Sequence, residues 1–339
     1  MRTSIFYEGQ EELFLASILG KQYSQVILLA DANTNGFCIN VLKKQIRALS
    51  TASLIIIPQG EQHKILESCS LIWNEFERLQ ADRSSLLINV GGGMISDIGG
   101  FAASVYKRGI DVVNIPTTLL AMVDACYGGK NGIDLNGVKN VIGTFRHPQS
   151  IYINTVFLAT LDQRILQSGI AECLKHALIS SEALWNELSS FELTDFLSLP
   201  TIRKILEIKT IIADLDEKDQ SIRQTLNFGH SIGHAIESYS QQTAHPLLHG
   251  EAVYLGMLHE LKLSEMMLQL PSSVYASLQN AGKKFFDSLS FSYTYKDLEP
   301  FLLQDKKNRE GIRMSLLKNI GECTFQTFVT TENIRNSFQ

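Results

Sequence analysis

Short apolar blocks alternating with amphipathic stretches set the plan of the first half of the chain. Gln25-Val-Ile-Leu-Leu-Ala30, Ser53-Leu-Ile-Ile-Ile57, Leu86-Leu-Ile-Asn-Val90 and Ile110–Ile115 have the length and composition of strands buried on both faces. Between them, helical spacing runs over Phe37–Leu49, from beyond Lys64 to Leu79, and over Ile98–Tyr106. Strands alternating with helices of this length predict βαβ units and a parallel sheet. From Leu158 onward strand-like blocks become few and helical periodicity takes over, as in Leu166–Leu178 and Ile202–Ile212. Residues 270–300 read as polar and helical, and Met314–Leu317 as a short apolar segment. Neither an internal repeat nor a low-complexity segment interrupts this plan.

Length and charge sharpen the picture. A chain of 339 residues exceeds the usual limit for one core, so two domains are expected. A net charge of −5 gives no basic excess and argues against general nucleic-acid binding. The five cysteines (Cys38, Cys69, Cys126, Cys173, Cys323) are scattered, with no C-x-x-C pair, and read as reduced thiols. Residues 1–12 contain early acids and no signal-peptide core, and no apolar run is long enough to span a membrane, so the expected location is the cytoplasm.

The strand ends carry candidate chemistry. Asp31 follows the first apolar block, where α/β sheets hold ribose hydroxyls; a helix cap explains it equally well. Leu86–Val90 runs into Gly91-Gly92-Gly93-Met-Ile-Ser-Asp97 and a helix, an arrangement that cradles phosphate. The run is only Gly-x-Gly-x-x-Ser, and Asp111 begins the next strand instead of closing it, so the standard dinucleotide fingerprint fails. A ribose carboxylate must then come from elsewhere, with Asp31 the candidate. Thr117 and Thr118 follow Pro116 at the same sheet edge. Lys130 and Lys139 sit in what read as glycine-rich loops, either as anion clamps or as solvated charges.

The densest chemistry lies in Asn227-Phe-Gly-His-Ser-Ile-Gly-His-Ala-Ile-Glu237 and Leu247-Leu-His-Gly-Glu-Ala-Val253. Four of the eight histidines (His230, His234, His245, His249) fall here, and imidazole is the commonest metal ligand. His230 and His234 are four apart, on one helix face. Ser231 stands where a zinc protease needs glutamate, so that motif is excluded. Pro246 breaks any helical link between His245 and His249, while His249 opens an apolar periodic run and so begins a helix. Two histidines do not complete a catalytic zinc site. Glu172, three residues before Lys175 on one helix face, is the candidate third ligand; an ordinary intrahelical ion pair is the alternative.

Taken in order, the blocks resemble 3-dehydroquinate synthase, a family within the sugar phosphate cyclases, over nearly the whole chain. They are Pro58-x-Gly-Glu61-x-x-Lys64, Gly91-Gly-Gly-x-x-x-Asp97, Tyr106-Lys-Arg-Gly109, Pro116-Thr-Thr-Leu-Leu-Ala-x-Val-Asp124, Gly128-Gly-Lys130, Lys139-Asn140, Ser168-Gly-x-Ala-Glu172-x-x-Lys175, Arg223-x-x-x-Asn227-x-Gly-His230-x-x-Gly-His234, Leu248-His-Gly-Glu251 and Asp305-Lys-Lys307. The resemblance implies an α/β Rossmann-like NAD-binding domain over residues 1–156. A mainly α-helical metal- and substrate-binding domain would follow over 157–339, with the active site in the cleft between them.

Carried over position by position, the resemblance implies that Glu172, His230 and His249 bind a catalytic divalent metal, Zn2+ or Co2+. His234 would stand beside it as an orienting or proton-handling group, although spacing alone would make it a ligand. NAD would be held by Asp31, Asn33, Glu61, Lys64, Gly92, Gly93, Asp97, Thr117 and Thr118, with Lys130, Lys139, Phe157 and Thr160 also at the cofactor. Asp124, Lys130, Asn140, Lys175, Lys209, Arg223 and Asn227 would surround the substrate. Arg108 would reach a phosphate in a neighbouring subunit, which implies a homodimer, and Lys306 or Lys307 would join the phosphate site. The implied activity is that of a carbon–oxygen lyase in the shikimate pathway, converting 3-deoxy-arabino-heptulosonate 7-phosphate to 3-dehydroquinate. Its course is oxidation, phosphate elimination, reduction, ring opening and an intramolecular aldol closure.

The chain departs from the usual pattern at Met122 (commonly Gln), Asn131 (Thr), Asp219 (Glu) and Ser221 (Gly). The rival readings are another sugar phosphate cyclase, a metal- and NAD-dependent polyol dehydrogenase, and an inactive NAD-binding scaffold. The cations Arg108, Lys130, Lys139, Lys209 and Arg223 weigh against the dehydrogenase, whose substrate carries neither phosphate nor carboxylate.

Overall fold

A computed structural model describes residues 3–136, 138–303 and 311–338. The chain divides into two compact units, Met1–Leu161 and Asp162–Gln339. The division falls after Leu161 instead of 156 because the intervening 3-10 turn, Thr155–Thr160, is tied to the first unit. Asn154 caps that turn by accepting from the Val156 amide at 3.0 Å, and Glu8 accepts from the Thr155 amide at 2.9 Å.

The first unit is built on a six-stranded sheet. Its strands are β1 (Ser4–Tyr7), β2 (Val26–Asp31), β3 (Ser53–Ile57), β4 (Leu86–Gly91) and β5 (Asp111–Pro116), with β6 (Lys130–Leu135) and β7 (Val138–Phe145) forming a separate hairpin before β8 (Ser150–Ile153). The sheet order is β1-β8-β5-β4-β2-β3, and every pairing in it is parallel. Helices α1 (Glu11–Leu19), α2 (Ala32–Gln45), α3 (Leu66–Arg78) and α4 (Gly93–Val105) alternate with the strands. Ile27, Leu29 and Leu87 from the sheet, Ile72 and Phe76 from α3, and Ile98 and Ala102 from α4 share one core, which removes their apolar surface from water. From β2 the chain moves to β3 on one side, and from β4 to β5 on the other. The crevice of such a sheet opens at this reversal, outside the carboxyl ends of β2 and β4. Asp31 and Gly91 are the last residues of those two strands.

Two expectations are corrected here. The helix after β2 spans Ala32–Gln45, not Phe37–Leu49, because Asp31 and Thr34 form a capping box that starts it early. Lys130 and Lys139 are not in loops; they lie on the antiparallel strands β6 and β7. The apolar positions of that hairpin explain the pairing, since Ile133 is fully buried and Ile142 packs on the same core.

The second unit is mainly helical. It contains α5 (Gln163–Ser180), α6 (Glu182–Leu188), α7 (Leu193–Phe196), α8 (Leu199–Leu215), α9 (His230–Ser240), α10 (His249–Leu268), α11 (Ser272–Phe286), α12 (Tyr295–Leu302) and α13 (Thr331–Asn336). Two small antiparallel pairs follow α12: β9 (Gly311–Met314) with β12 (Thr327–Thr330), and β10 (Leu317–Asn319) with β11 (Glu322–Cys323). Ile232 and Ile236 of α9, Ala252 and Leu263 of α10, Leu298 of α12 and Val329 of β12 are buried together. Among the described residues, no helix is long and apolar enough to cross a membrane. Lys306 and Lys307 lie outside the described residues.

Candidate active site

Three helices of the second unit bring Glu172, His230 and His249 together. The Nε2 atoms of His230 and His249 each lie 3.4 Å from the same Oε1 of Glu172. Their rings are 5.3 Å apart, and His234 completes a triangle at 5.3 and 5.8 Å from them. His245 is exposed on the segment before α10.

Glycine lets the helices approach this closely. Gly250 follows His249, and a Cβ there would stand 1.8 Å from the Ser168 carbonyl oxygen of α5. Ser168 is one turn before Glu172, so that contact sets α10 against the ligand-bearing stretch of α5. Its hydroxyl accepts from the Gly250 amide at 3.0 Å. On the α9 side, a Cβ at Gly256 would stand 2.1 Å from the Gly229 carbonyl oxygen and 2.6 Å from the Gly233 nitrogen. Gly229 has φ +81°, a backbone that side chains resist, and it turns the chain into α9 immediately before His230. Glu251 caps α10 by accepting from the Leu248 amide at 2.7 Å and takes a bidentate contact from Arg164 at 2.6 and 2.7 Å.

Each imidazole is oriented from behind. His230 Nδ1 lies 3.2 Å from the Phe228 carbonyl oxygen, and His249 Nδ1 lies 3.2 Å from Oε2 of Glu237. Both acceptors put the Nδ1 proton on the far side and turn the Nε2 lone pair toward Glu172, as metal-ligating histidines require. Glu237 and the Phe228 carbonyl were not singled out from sequence. The signal for Glu237 was present, an acid three residues after His234 on a buried helix.

The electrostatics fit a cation. Burial opposes ionisation of Glu172, yet the Lys175 ammonium at 2.5 Å and the nearby imidazoles hold its carboxyl well below the usual range. Burial also disfavours a charged His249, but Glu172 and Glu237 outweigh it and lift this imidazole to about 10. His230 is pushed down, first by burial and then by Lys175. Neither oxygen of the buried Glu172 takes a well-aligned hydrogen bond. One carboxylate and two imidazole Nε2 atoms facing it form a donor set that zinc or cobalt accepts, with the metal taking the place of the Nε2 proton on His249.

Other predicted residues of this unit are placed as follows. Lys175, Lys209 and Arg223 are buried cations, Arg223 donating to the Glu217 carbonyl oxygen at 2.9 Å. Asn227 ends the 3-10 turn Ile222–Asn227, just before Gly229. Asp219 has φ +57°, which aspartate tolerates, and Ser221 has φ −146°, outside the positive-φ region that favours glycine.

In the first unit, a polar cluster gathers residues from three segments. Lys64 donates to Asp97 at 2.5 Å and to the Asn140 side chain at 2.6 Å, with Glu61 at 3.7 Å. Lys139 lies 4.0 Å from Glu61. Burial raises the Asp97 carboxyl, partly offset by Lys64. Asp134, which sequence reasoning did not assign, locks the cluster, accepting from the Asn140 amide while its own amide donates to the Lys64 carbonyl, both at 2.8 Å. Gly92 begins α4 with no side-chain cap, and a Cβ there would meet Thr118 at 3.1 Å. The buried Thr117 hydroxyl has no hydrogen-bond partner. An uncapped helix start beside an unsatisfied hydroxyl suits a phosphate-bearing nucleotide.

Several positions behave differently from their neighbours. Oδ1 of Asp31 accepts from the Thr34 amide at 2.8 Å and its hydroxyl at 2.9 Å, so the capping role is observed; Asn33 stands exposed one residue into α2. Phe157 is fully buried, a core group without exposed surface, whereas Thr160 is exposed. Lys130 is exposed at the start of β6, and Asp124 lies in the π-helical turn Ala121–Ala125. Arg108 is exposed at φ +69°, directly after Lys107 at φ +48°. Met122 is fully buried, and the Asn131 amide donates to the Gly129 and Arg146 carbonyls at 2.9 Å each.

A parallel sheet with a glycine-rich, uncapped helix start and a helical unit with a carboxylate–imidazole cluster make up a fold that the chain shares with sugar phosphate cyclases of known structure. The chain matches 2-deoxy-scyllo-inosose synthase complexed with carbaglucose-6-phosphate, NAD+ and Co2+ at a TM-score of 0.86. That match has 23% identity and covers 98% of this chain and 95% of the other. It also matches 2-epi-5-epi-valiolone synthase from Streptomyces hygroscopicus subsp. jinggangensis with NAD+ and Zn2+ bound, at a TM-score of 0.85. There the identity is 25%, covering 99% of this chain and 96% of the other. More particularly, the 3-dehydroquinate synthase N-terminal family profile matches residues 54–168, and the 3-dehydroquinate synthase C-terminal profile matches 169–308. The 3-dehydroquinate synthase of Parabacteroides distasonis is 39% identical over 330 residues, covering 96% of this chain and 92% of the relative. The chain belongs to the 3-dehydroquinate synthase family.

Proposed function

We propose that this chain converts 3-deoxy-arabino-heptulosonate 7-phosphate to 3-dehydroquinate with release of inorganic phosphate, using NAD and one divalent metal, Zn2+ or Co2+. The observation that carries the reading is the pair of imidazole Nε2 atoms 3.4 Å from one buried oxygen of Glu172. Family membership supports the substrate, and the two solved relatives with NAD+ and Co2+ or Zn2+ support the cofactors.

When bound, the metal acidifies a coordinated hydroxyl and NAD+ accepts and returns a hydride. The chain's own residues do the rest. Glu172, His230 and His249 hold the metal, and Lys175 keeps Glu172 ionised. His234, a turn beyond His230, handles the proton. In the first unit, Gly92, Gly93, Thr117 and Thr118 hold the nucleotide phosphates and adjoining groups, while Asp31 and Asn33 serve the ribose. Glu61, Lys64, Asp97, Lys130, Lys139 and Thr160 complete the NAD site. Lys130, Asn140, Lys209, Arg223, Asn227 and Asp124 bind and orient the substrate, whose negative groups need cations. Positive charge at the phosphate lowers the cost of its departure. Arg108 of one subunit reaches the phosphate held by another, in a homodimer working in the cytoplasm, and one of Lys306 and Lys307 joins it.

The test is phosphate release from the heptulosonate phosphate, with and without NAD and with a chelator. Release should require both NAD and metal. Release indifferent to either rejects the proposal, and release from glucose 6-phosphate instead would assign a different cyclase activity.

A further inference from the structure

We propose that Glu260 is a positioning residue for the metal centre: its buried carboxyl group fixes the first turn of α9, and with it the backbone of His230, before any metal binds. The inference rests on the reading of His230 as a metal ligand.

A helix start leaves backbone N–H groups without intrahelical partners. In α9 that start is His230 itself, and the preceding residue, Gly229, has no side chain with which to cap it. The cap comes instead from α10. Oε2 of Glu260 accepts from the Gly229 amide at 2.6 Å and Oε1 from the Ile232 amide at 3.2 Å. The residues bonded therefore bracket His230 on both sides. Glu260 is fully buried, so water cannot take over these bonds.

Spacing ties this device to the rest of the centre. Glu260 lies one turn beyond Gly256, the residue that admits the Gly229 and Gly233 backbone. It also lies eleven residues after His249, three turns along the same helix face. Helix α10 thus supplies one ligand from its first residue and secures the helix that supplies another. A ligand held in place without metal pays less ordering entropy when metal binds, which strengthens binding.

The experiment measures Zn2+ affinity by chelator competition for the wild type, Glu260→Gln and Glu260→Met. Glutamine keeps one acceptor for two donors and methionine keeps none. Affinity should fall about 10-fold for glutamine and about 100-fold for methionine, the range for lost outer-shell partners. Affinity for NAD should not change in either, because its proposed site is in the first unit; a general loss of structure would weaken both ligands. Folded variants that bind Zn2+ as tightly as the wild type overturn the proposal. A wild type that binds no Zn2+ overturns the metal reading instead. If neither variant folds, amide exchange in the metal-free wild type decides. The Gly229 and Ile232 amides should be as protected as in the zinc-loaded protein, and protection that appears only with zinc refutes the idea.

Discussion

Glu237 accepts a hydrogen bond from Nδ1 of His249 at 3.2 Å, so the opposite ring nitrogen is the one that faces Glu172. The contact crosses from α9 to α10 and holds the proton of His249 on Nδ1, leaving Nε2 as the nitrogen that can give up its proton to a metal. It makes the two helices parts of one centre. Glu237→Gln should retain the fold and lower metal affinity or turnover about 10- to 100-fold. Metal titration and phosphate release by the variant check this, and wild-type values in both would remove Glu237 from the centre.

Glu172→Gln and His249→Ala should each cost orders of magnitude in turnover. Both belong to the second unit and the residues assigned to NAD belong to the first, so calorimetric NAD binding should stay close to wild type. Full turnover in either variant would eliminate that residue as a ligand.

Arg108 is exposed at φ +69°, a conformation that costs a non-glycine residue energy and so marks a specialised turn. Arg108→Ala should weaken the phosphorylated substrate on the order of 10- to 100-fold, the value of a bidentate charge-assisted contact. Binding of a substrate analogue without phosphate should not change. Unaltered affinity for the phosphorylated substrate would dismiss the contact between subunits.

His259 gives the fold a pH dependence of its own. Burial pushes its imidazole down to about 4, assisted by Lys262 and opposed by the Ser337 carbonyl, while Nε2 lies 3.0 Å from the Tyr293 hydroxyl. Unfolding returns it to its ordinary 6.5. Below 6.5 the unfolded chain therefore takes up a proton that the folded one refuses. Stability should be full above 6.5 and decline toward pH 4 by about 1.4 kcal/mol per pH unit from this group. Thermal melts across that range, compared with His259→Gln, isolate the contribution. Parallel curves for the two proteins would show that His259 carries none of it.

Much of this molecule was legible as a string of residues. The apolar block at 86–90 became a strand buried on both faces, as the middle of a parallel sheet requires, while 53–57 became the edge strand, with Ile56 exposed. His249 was expected at a helix start and stands there, because Pro246 bars a helix from continuing through it and the apolar period begins after it. Lys130 and Lys139 misled, since glycines that suggest loops also permit the close strand pairing at Gly132 and Gly143. Asp31 had two readings open, and they are compatible, because the bonds to Thr34 that make the cap use Oδ1.

Sequence alone determined which local segments form and which residue types they carry, because periodicity, caps and turn formers act over a few neighbouring positions. It also determined the family, through blocks whose order no composition would mimic. Only the tertiary structure decided that Glu237 and Glu260 serve the histidines, for both lie on faces that polarity patterns assign to packing. A buried acid is tolerated there because glycines at 229, 233 and 256 bring two backbones close enough for unpaired amides to reach it. That distance is set by helices meeting in space, and no spacing along the chain encodes it.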